Sequence, residues 1–372
     1  MTGARVLVTG AAGLIGSETA RLFDRCGSEV HGIDNNSRQC FFGSDGDTTW
    51  NLERLKSESE SYIHHHVDIR SERLLDRLVS EIRPHAVIHC AAQPAHDYAR
   101  LHPLVDFSIN VAGTMNLLEA CRSHCPESPF VFCSSSKVYG PVNSVPFREL
   151  DSRYEWDLRG APNGVSKEGI SEEFPLDGGD GRGIYGSGKA AADLLVQEYG
   201  QTYGMPTVCL RGNCMTGSAH SPAELHGFLA YLARCVMEER TYVVFGYRGK
   251  QVRDIIHAED FATAIMMICL AKPSPGTAYN LGGGRTNGVS ILEAIEMLQR
   301  LTGKRLHTEY IDEPRHGDHR IYMSDTAKFR KDYPGWGLKW SLEKICTDLI
   351  ERFEPSERGR PLTPHLLIPD TR

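Results

Sequence analysis

Short apolar runs alternate with amphipathic stretches along the first two hundred residues. Val6-Leu7-Val8, the run 29–33, Tyr62-Ile63-His64, Ala86-Val87-Ile88-His89, Phe130-Val131-Phe132-Cys133 and Thr207-Val208-Cys209-Leu210 have the length and apolar content of buried strands. Helical patterns near 14–26, 71–82, 104–124 and 186–203 separate them. This alternation predicts an α/β fold, a Rossmann-type doubly wound parallel sheet with helices on both faces. A polar, glycine- and proline-rich stretch over 141–183 breaks the rhythm with Pro162-Asn163-Gly164 and Asp177-Gly178-Gly179-Asp180-Gly181. Loops of that length inside a compact domain are usually functional or mobile. After Gly217 the alternation loosens, with helices expected near 222–239, 258–271, 289–302 and 341–352. Asp254-Ile255-Ile256-His257 before the second of these reads as one more sheet-and-helix unit. The expected division is a first domain over 1–212, to which 251–275 returns, a smaller α/β lobe from 213–250 and 276–353, and an extended tail over 354–372.

With 372 residues and 40% hydrophobic content the chain can bury a large core. Its formal charge of -7, without a basic run, argues against a nucleic-acid partner, so an anionic ligand must be met by a few placed arginines. Eleven cysteines lack metal-ligand spacing, and no metal site is expected. His64-His65-His66 lies in a predicted strand and suggests no function. The start runs directly into Val6-Leu7-Val8 without a secretory pattern, and no apolar stretch approaches the ~20 residues of a membrane span, so a cytoplasmic location is expected.

Thr9-Gly10-Ala11-Ala12-Gly13-Leu14-Ile15-Gly16 follows the first strand and opens the first helix, the context a dinucleotide fingerprint needs. Gly10 permits the turn, Gly13 lets backbone amides approach a pyrophosphate, and Gly16 allows close helix-to-strand packing. Asp34, about ~20 residues on, suits an adenosine ribose diol and would repel a 2'-phosphate, which favours NAD. Arg38 nearby keeps NADP open. The expected cofactor contacts are completed by Leu14, Ile15, Asn35, Ser37, Asp68 and Ile69 after the third strand, Ala91, Ala92 and Gln93 after the fourth, Asn110, and Cys133.

Tyr185 and Lys189 stand four residues apart before the helix formers of 190–198, a spacing that stacks phenol and ammonium on one helix face. A fixed cation lowers a phenol's pKa from near ~10 and makes it a proton acceptor for an alcohol. An isolated pair of this kind reads far more readily as packing tyrosine and solvated lysine. The glycine turn upstream makes the chemical reading the stronger one.

Together with Tyr185-Gly186-Ser187-Gly188-Lys189, the glycine turn and Ser134-Ser135-Ser136-Lys137-Val138-Tyr139-Gly140 resemble the extended short-chain dehydrogenase/reductases acting on nucleotide sugars. The resemblance implies that Ser135 completes a triad with Tyr185 and Lys189. Dehydratases of that family carry Asp-Glu after the triad hydroxyl, where this chain has Ser136 and Lys137. Elimination then lacks its acid-base pair, and epimerisation or simple oxidation remains. Arg153-Tyr154, Pro162-Asn163-Gly164 and the run 249–260 are most similar to epimerases acting at C2 of CDP-linked deoxyhexoses. A 4-epimerase or dehydrogenase is the alternative, and a non-catalytic NAD-binding scaffold a remote one. The resemblance also implies a homodimer through 104–124 and 186–203 and a nucleotide-sugar partner held by Gln93, Ser135, Ser136, Lys137, Asn213, Cys214, Gln251, Arg253, Arg315 and Asp318. His96 is a further candidate for the sugar pocket, and Arg320 reads equally as nucleotide contact or surface. Cys214 departs from the Asn of many relatives, and a thiol cannot replace an amide's hydrogen bonds.

Overall fold

The computed structural model describes residues 1–177 and 182–354. The run 178–181 of the glycine-rich stretch and residues 355–372 of the expected tail lie outside the described residues.

Seven parallel strands form the main sheet: β1 (Arg5–Thr9), β2 (Glu29–Ile33), β3 (Tyr62–His65), β4 (Ala86–His89), β5 (Phe130–Ser135), β6 (Thr207–Gly212) and β7 (Thr277–Leu281). Their spatial order is β7-β6-β5-β4-β1-β2-β3. The chain therefore runs outward from β1 to β3 and then crosses back to β4, which opens a crevice at the carboxyl ends of β1 and β4. Val6 and Val8 enter one apolar cluster and Leu7 another, so the period-two alternation of β1 feeds two cores on opposite faces. The helix α1 (Leu14–Arg25) covers the first of these with Ala20 and Phe23.

The edge strand β7 falls in the stretch read from sequence as smaller lobe. Thr277–Leu281 pairs with β6 from Thr277 opposite Val208 to Leu281 opposite Gly212. Its apolar content is modest because Asn280 sits inside the strand, fully buried, and accepts the Tyr139 hydroxyl at 2.7 Å. Conversely, the run 254–257 adds no strand to the main sheet. Val252–Asp254 pairs with Gly288–Ser290 and Ile321–Tyr322, and Ile256–His257 pairs with Met215–Thr216. The helix that follows does return, since Phe261, Ala264, Ile265 and Ile268 of Ala258–Ala271 join the core beneath α1.

Among the described residues four short α-helices were not legible, one of them Ala327–Asp332. Thr49–Glu58 buries only Asn51 and Leu55, and Arg38–Phe42 buries nothing, so neither carries an apolar stripe. His96–Leu101 buries Ala99 alone. The helix expected over 104–124 is divided by a π turn at Ser108–Gly113. The one expected from 222 starts at Phe228, after Gly227 in left-handed backbone at φ 86°. Helices Phe228–Met237, Ile291–Thr302 and Leu342–Phe353 build the core of the smaller lobe. Among the described residues no helix is long and apolar enough to cross a membrane.

Helix α2 (Gly183–Tyr203) carries Tyr185 and Lys189 and ends at the left-handed Gly204. Its internal glycines cost helix propensity, and close packing explains them. A Cβ at Gly186 would meet the Lys137 carbonyl at 2.6 Å, and one at Gly188 would meet the Asp106 carboxylate at 2.6 Å. Two turns along, Asp193 is fully buried and receives Arg211 of β6 at 2.8 Å and the Ser134 hydroxyl of β5. Replacing Asp193 by Ala strands the Arg211 guanidinium, whose side chain is 4% exposed. That is expected to cost about 3–5 kcal/mol in denaturant unfolding, well beyond an exposed control such as Glu198→Ala. A loss below about 1 kcal/mol would show that the pair does not hold the helix.

Candidate active site

Two clefts meet at the carboxyl ends of the strands. The first is lined by Gly10, Gly13, Leu14, Ile15, Gly16, Asp34, Asn35, Ser37, Arg38, Asp68, Ile69, Ala91, Ala92, Cys133, Ser135, Tyr185 and Lys189. The second is lined by Ser135, Ser136, Lys137, Tyr185, Asn213, Cys214, Gln251, Arg253, Arg315 and Asp318, with His96. Of the expected triad, Ser135 and Tyr185 face both, so they stand where the two clefts join.

Backbone and charge in the first cleft fit a dinucleotide. Gly10 adopts φ 67°, and a Cβ there would meet the Ala91 nitrogen at 2.8 Å. A Cβ at Gly16 would collide with the Gly10 carbonyl, which holds α1 against the turn. The amino end of α1 has no side-chain cap and no acidic residue in its first turn, leaving its amides and positive dipole end open to a phosphate. Asp34 is pinned at the rim by the amides of Ala12 at 2.9 Å and Asn36 at 2.8 Å. The Asn35 amide and Arg70 guanidinium hold Asp68, whose carboxyl lies below its ordinary range chiefly through the Arg70 hydrogen bond. Arg38 reaches across to the Ser221 carbonyl at 2.8 Å and His226 Nδ1 at 3.2 Å. Its guanidinium is thus committed to the opposite lobe, away from the role that kept NADP open.

Three consecutive serines end β5, and their partners separate them. Ser134 bonds Asp193, and Ser136 donates to Asn213 Oδ1 at 2.8 Å. Ser135 alone turns its hydroxyl into the junction, where it accepts the Lys137 amide at 3.2 Å and hydrogen-bonds Tyr185. Lys189 Nζ donates to the Cys133 carbonyl at 2.7 Å and lies 4.1 Å from the centre of the Phe132 ring. The expectation that Lys189 pairs with the phenol and lowers its pKa is corrected here. Burial pushes the Tyr185 phenol up to about 12, against a smaller pull downward from the Ser135 hydrogen bond. The same burial brings the Lys189 ammonium down to about 8. A lysine spent on a carbonyl supplies too little field at the phenol to offset desolvation.

Gln93 and Asn110 are corrections too, since neither lines a cleft. Both are buried, and they bind each other: the Gln93 amide donates to Asn110 Oδ1 at 2.9 Å, and the Asn110 side chain returns to the Gln93 carbonyl at 3.0 Å. Asp106 accepts from both side chains at 2.9 Å. This network sits at the π turn and ties the loop after β4 to it. Arg320 also lies outside the clefts, stacked 3.9 Å from the centre of the Phe147 ring with Tyr154 and Tyr247 nearby.

In the second cleft, Arg253 pairs with Asp318 and also donates to the His319 carbonyl. Burial alone would raise Asp318, but Arg253, Lys137 and Arg315 hold its carboxyl below the ordinary range. Arg315 meets Asp97 at 3.0 Å and the Leu225 carbonyl at 2.7 Å, leaving Nε buried without a partner. Asn213 spends its amide on Asp254 at 2.6 Å. Gln251 donates to the Phe245 carbonyl at 3.1 Å while its own Oε1 is buried and unpartnered. Cys214 takes φ 32°, and burial pushes its thiol up to about 12. His220 and His226 line both clefts, and Ser221 the first, from a loop that carries no motif in the sequence.

The model of the NAD dependent epimerase/dehydratase family matches residues 6–282. The chain belongs to that family. It is 29% identical to CDP-paratose 2-epimerase of Salmonella typhi, covering 94% of this chain and 97% of that one. UDP-glucuronate 4-epimerase of Thermodesulfobacterium geofontis is 30% identical over 91% of this chain and 92% of its own. The solved Thermus thermophilus UDP-glucose 4-epimerase, in complex with NAD, superposes with a TM-score of 0.73 at 27% identity, over 95% and 99% of the two chains. The glycine turn, the open helix end and Asp34 are the residues here that would hold NAD.

Lys137 offers a test of the second cleft's electrostatics. Burial brings its ammonium down from 10.5 to about 7, with Arg253 and Arg315 adding to the effect and Asp318 opposing it. A base whose folded pKa is depressed binds fewer protons folded than unfolded. It therefore disfavours folding fully below about pH 7, and the penalty fades as pH rises toward 10.5. Lys137→Met is expected to raise the unfolding midpoint at pH 6.5, with the gain shrinking by pH 9.5. A gain that grows with pH would contradict the burial of this amine.

Proposed function

We propose that the protein is an NAD-dependent nucleotide-sugar epimerase that inverts one ring carbon through a transient keto sugar, with C2 of a CDP-linked deoxyhexose the favoured substrate position. The observation that carries this reading is the occupancy of the two positions after Ser135. Ser136 is tied to Asn213, and Lys137 Nζ donates to the Gly317 carbonyl at 2.7 Å. The carboxylates of the second cleft are Asp318, ion-paired with Arg253, and Glu224, which is exposed at the rim. Among the described residues no acid stands beside Ser135 to expel water from a sugar, which supports reversible oxidation without loss of a group. The similarity to CDP-paratose 2-epimerase supports the choice of C2.

In this reading Tyr185 accepts the proton of a ring hydroxyl, and Ser135 orients that hydroxyl and hydrogen-bonds the charge developing on its oxygen. NAD, when bound, supplies a hydride acceptor that returns the hydride within the same turnover. The phenol, raised to about 12 by burial, needs added positive charge to act near neutrality. Arg253, Arg315 and Asp318 hold the nucleotide end, arginine forks suiting phosphate and the carboxylate a ribose hydroxyl. An anchored nucleotide lets the keto sugar turn its other face before reduction. A 4-epimerase is the second reading, favoured by the similarity to UDP-glucuronate and UDP-glucose 4-epimerases, because the same groups serve either carbon.

The test is incubation with a panel of CDP-, UDP- and dTDP-sugars without reductant, the products followed by NMR. Inversion at one carbon without net NADH is expected, and Tyr185→Phe should lower turnover at least about 100-fold while NAD still binds. Net NADH would make the protein a dehydrogenase, and full activity in Tyr185→Phe would end the proposed mechanism.

We also infer a homodimer. Leu104, 82% exposed, Phe107 and Met115 on one helical segment and Leu194 on α2 leave apolar side chains in solvent, where a second copy would cover them. Leu104→Glu is expected to shift the mass seen by light scattering from dimer toward monomer. A wild-type protein that is monomeric at micromolar concentration would refute the inference.

A further inference from the structure

One polar ring in the second cleft packs against Tyr185 and has no hydrogen-bond partner among the described residues. His96 opens the short helix His96–Leu101, and its imidazole packs on the Tyr185 phenol with centroids 4.5 Å apart and planes tilted by 50°. It lines the second cleft beside Ser135 and Lys137. The charged groups around it are spent: Lys137 on the Gly317 carbonyl, Arg315 on Asp97 and the Leu225 carbonyl, and Asp318 on Arg253. Among the described residues His96 has neither a carboxylate nor a carbonyl to fix its tautomer.

Its surroundings also decide its charge. Burial holds the imidazole well below its ordinary pKa, Lys137, Arg315 and His316 push the same way, and Asp318 opposes them weakly. A neutral imidazole has one donor and one acceptor nitrogen. That pairing matches a hydroxyl, which also donates and accepts, better than a carboxylate, which would call for a cation. The ligand group that reaches Tyr185 and Ser135 is a ring hydroxyl, so the next group along the ring meets the imidazole packed against that phenol.

Resting on the epimerase reading above, we propose that His96 is a specificity-determining residue, its imidazole hydrogen-bonding the sugar hydroxyl that neighbours the one deprotonated by Tyr185. The face of the same ring buttresses the phenol. The role is thus divided: the nitrogens read the sugar and the ring surface positions the base. Substituting Phe removes the first and keeps the second.

The experiment measures binding with turnover blocked. In the NAD-loaded Tyr185→Phe protein, calorimetry compares the nucleotide sugar that is best converted by the wild type with its parent nucleoside diphosphate. Adding His96→Phe is expected to weaken the nucleotide sugar by about 3- to 10-fold, the worth of one neutral hydrogen bond, and to leave the nucleoside diphosphate and NAD unchanged. His96→Asn, which restores a donor and an acceptor without the ring, should recover part of that loss and serves also if the Phe variant folds poorly. With Tyr185 intact, His96→Phe should raise KM more than it lowers kcat. Equal loss for both nucleotides, or no loss for either, overturns the assignment. A wild type that converts and binds no nucleotide sugar fails the epimerase reading itself, and the His96 assignment falls with it.

Discussion

A single buried carboxylate fixes the helix of Tyr185 and Lys189 against the sheet. Asp193 lies one turn beyond Lys189 and binds both β6, through Arg211, and β5, through Ser134. Replacing such a pair with apolar groups is often neutral for stability, so its value lies in position. By taking Ser134 inward it leaves Ser135 facing the clefts, since successive strand residues point to opposite sides. Arg211 also donates to the Tyr139 hydroxyl at 3.1 Å, and Tyr139 in turn donates to Asn280 of β7. The segment that bears Ser135, the helix that bears Tyr185 and the sheet's edge strand thus share one hydrogen-bonded core. A Cβ on Gly186 or Gly188 would push the helix off this seat, which is why two poor helix formers sit between Tyr185 and Lys189.

What the chain reveals about itself follows the range of the forces involved. Six of the seven strands and the glycine turn were legible because their signals are local: a continuous apolar run, a turn that only glycine makes, an acid at the next strand end. The strand β7 was hidden because its partner β6 lies about seventy residues away, and Asn280 is polar to serve Tyr139 and the Ile170 carbonyl. The same limit applies to Gln93 and Asn110. An amide near a ligand site binds ligand or binds protein, and composition does not distinguish the two. Here they bind each other and Asp106 at a π turn, a geometry with no sequence signature. His220, Ser221 and His226 enter the clefts from the other lobe, drawn there by Arg38 and by Trp50, whose indole nitrogen reaches Ser221 Oγ at 2.8 Å.

The electrostatics of the junction carry a further consequence. Burial raises Tyr185, lowers Lys189 and Lys137, and holds His96 neutral, so the groups nearest the expected reaction are all disfavoured as ions. The charged groups that remain in the second cleft, Arg253 and Arg315, are answered by Asp318 and Asp97. A site in this condition has little net field of its own, and the chain as a whole is negative. In the epimerase reading, attraction for an anionic ligand would arise as it docks, were a diphosphate to displace Asp318 or Asp97 from an arginine and so raise the fraction of Lys137 that is protonated. The charge needed to turn the Tyr185 phenol into a base would likewise arrive only with both clefts filled. Coupling of this kind would keep a strong base from forming in an open cleft, where water would quench it, and would make full occupancy the condition for the proposed chemistry.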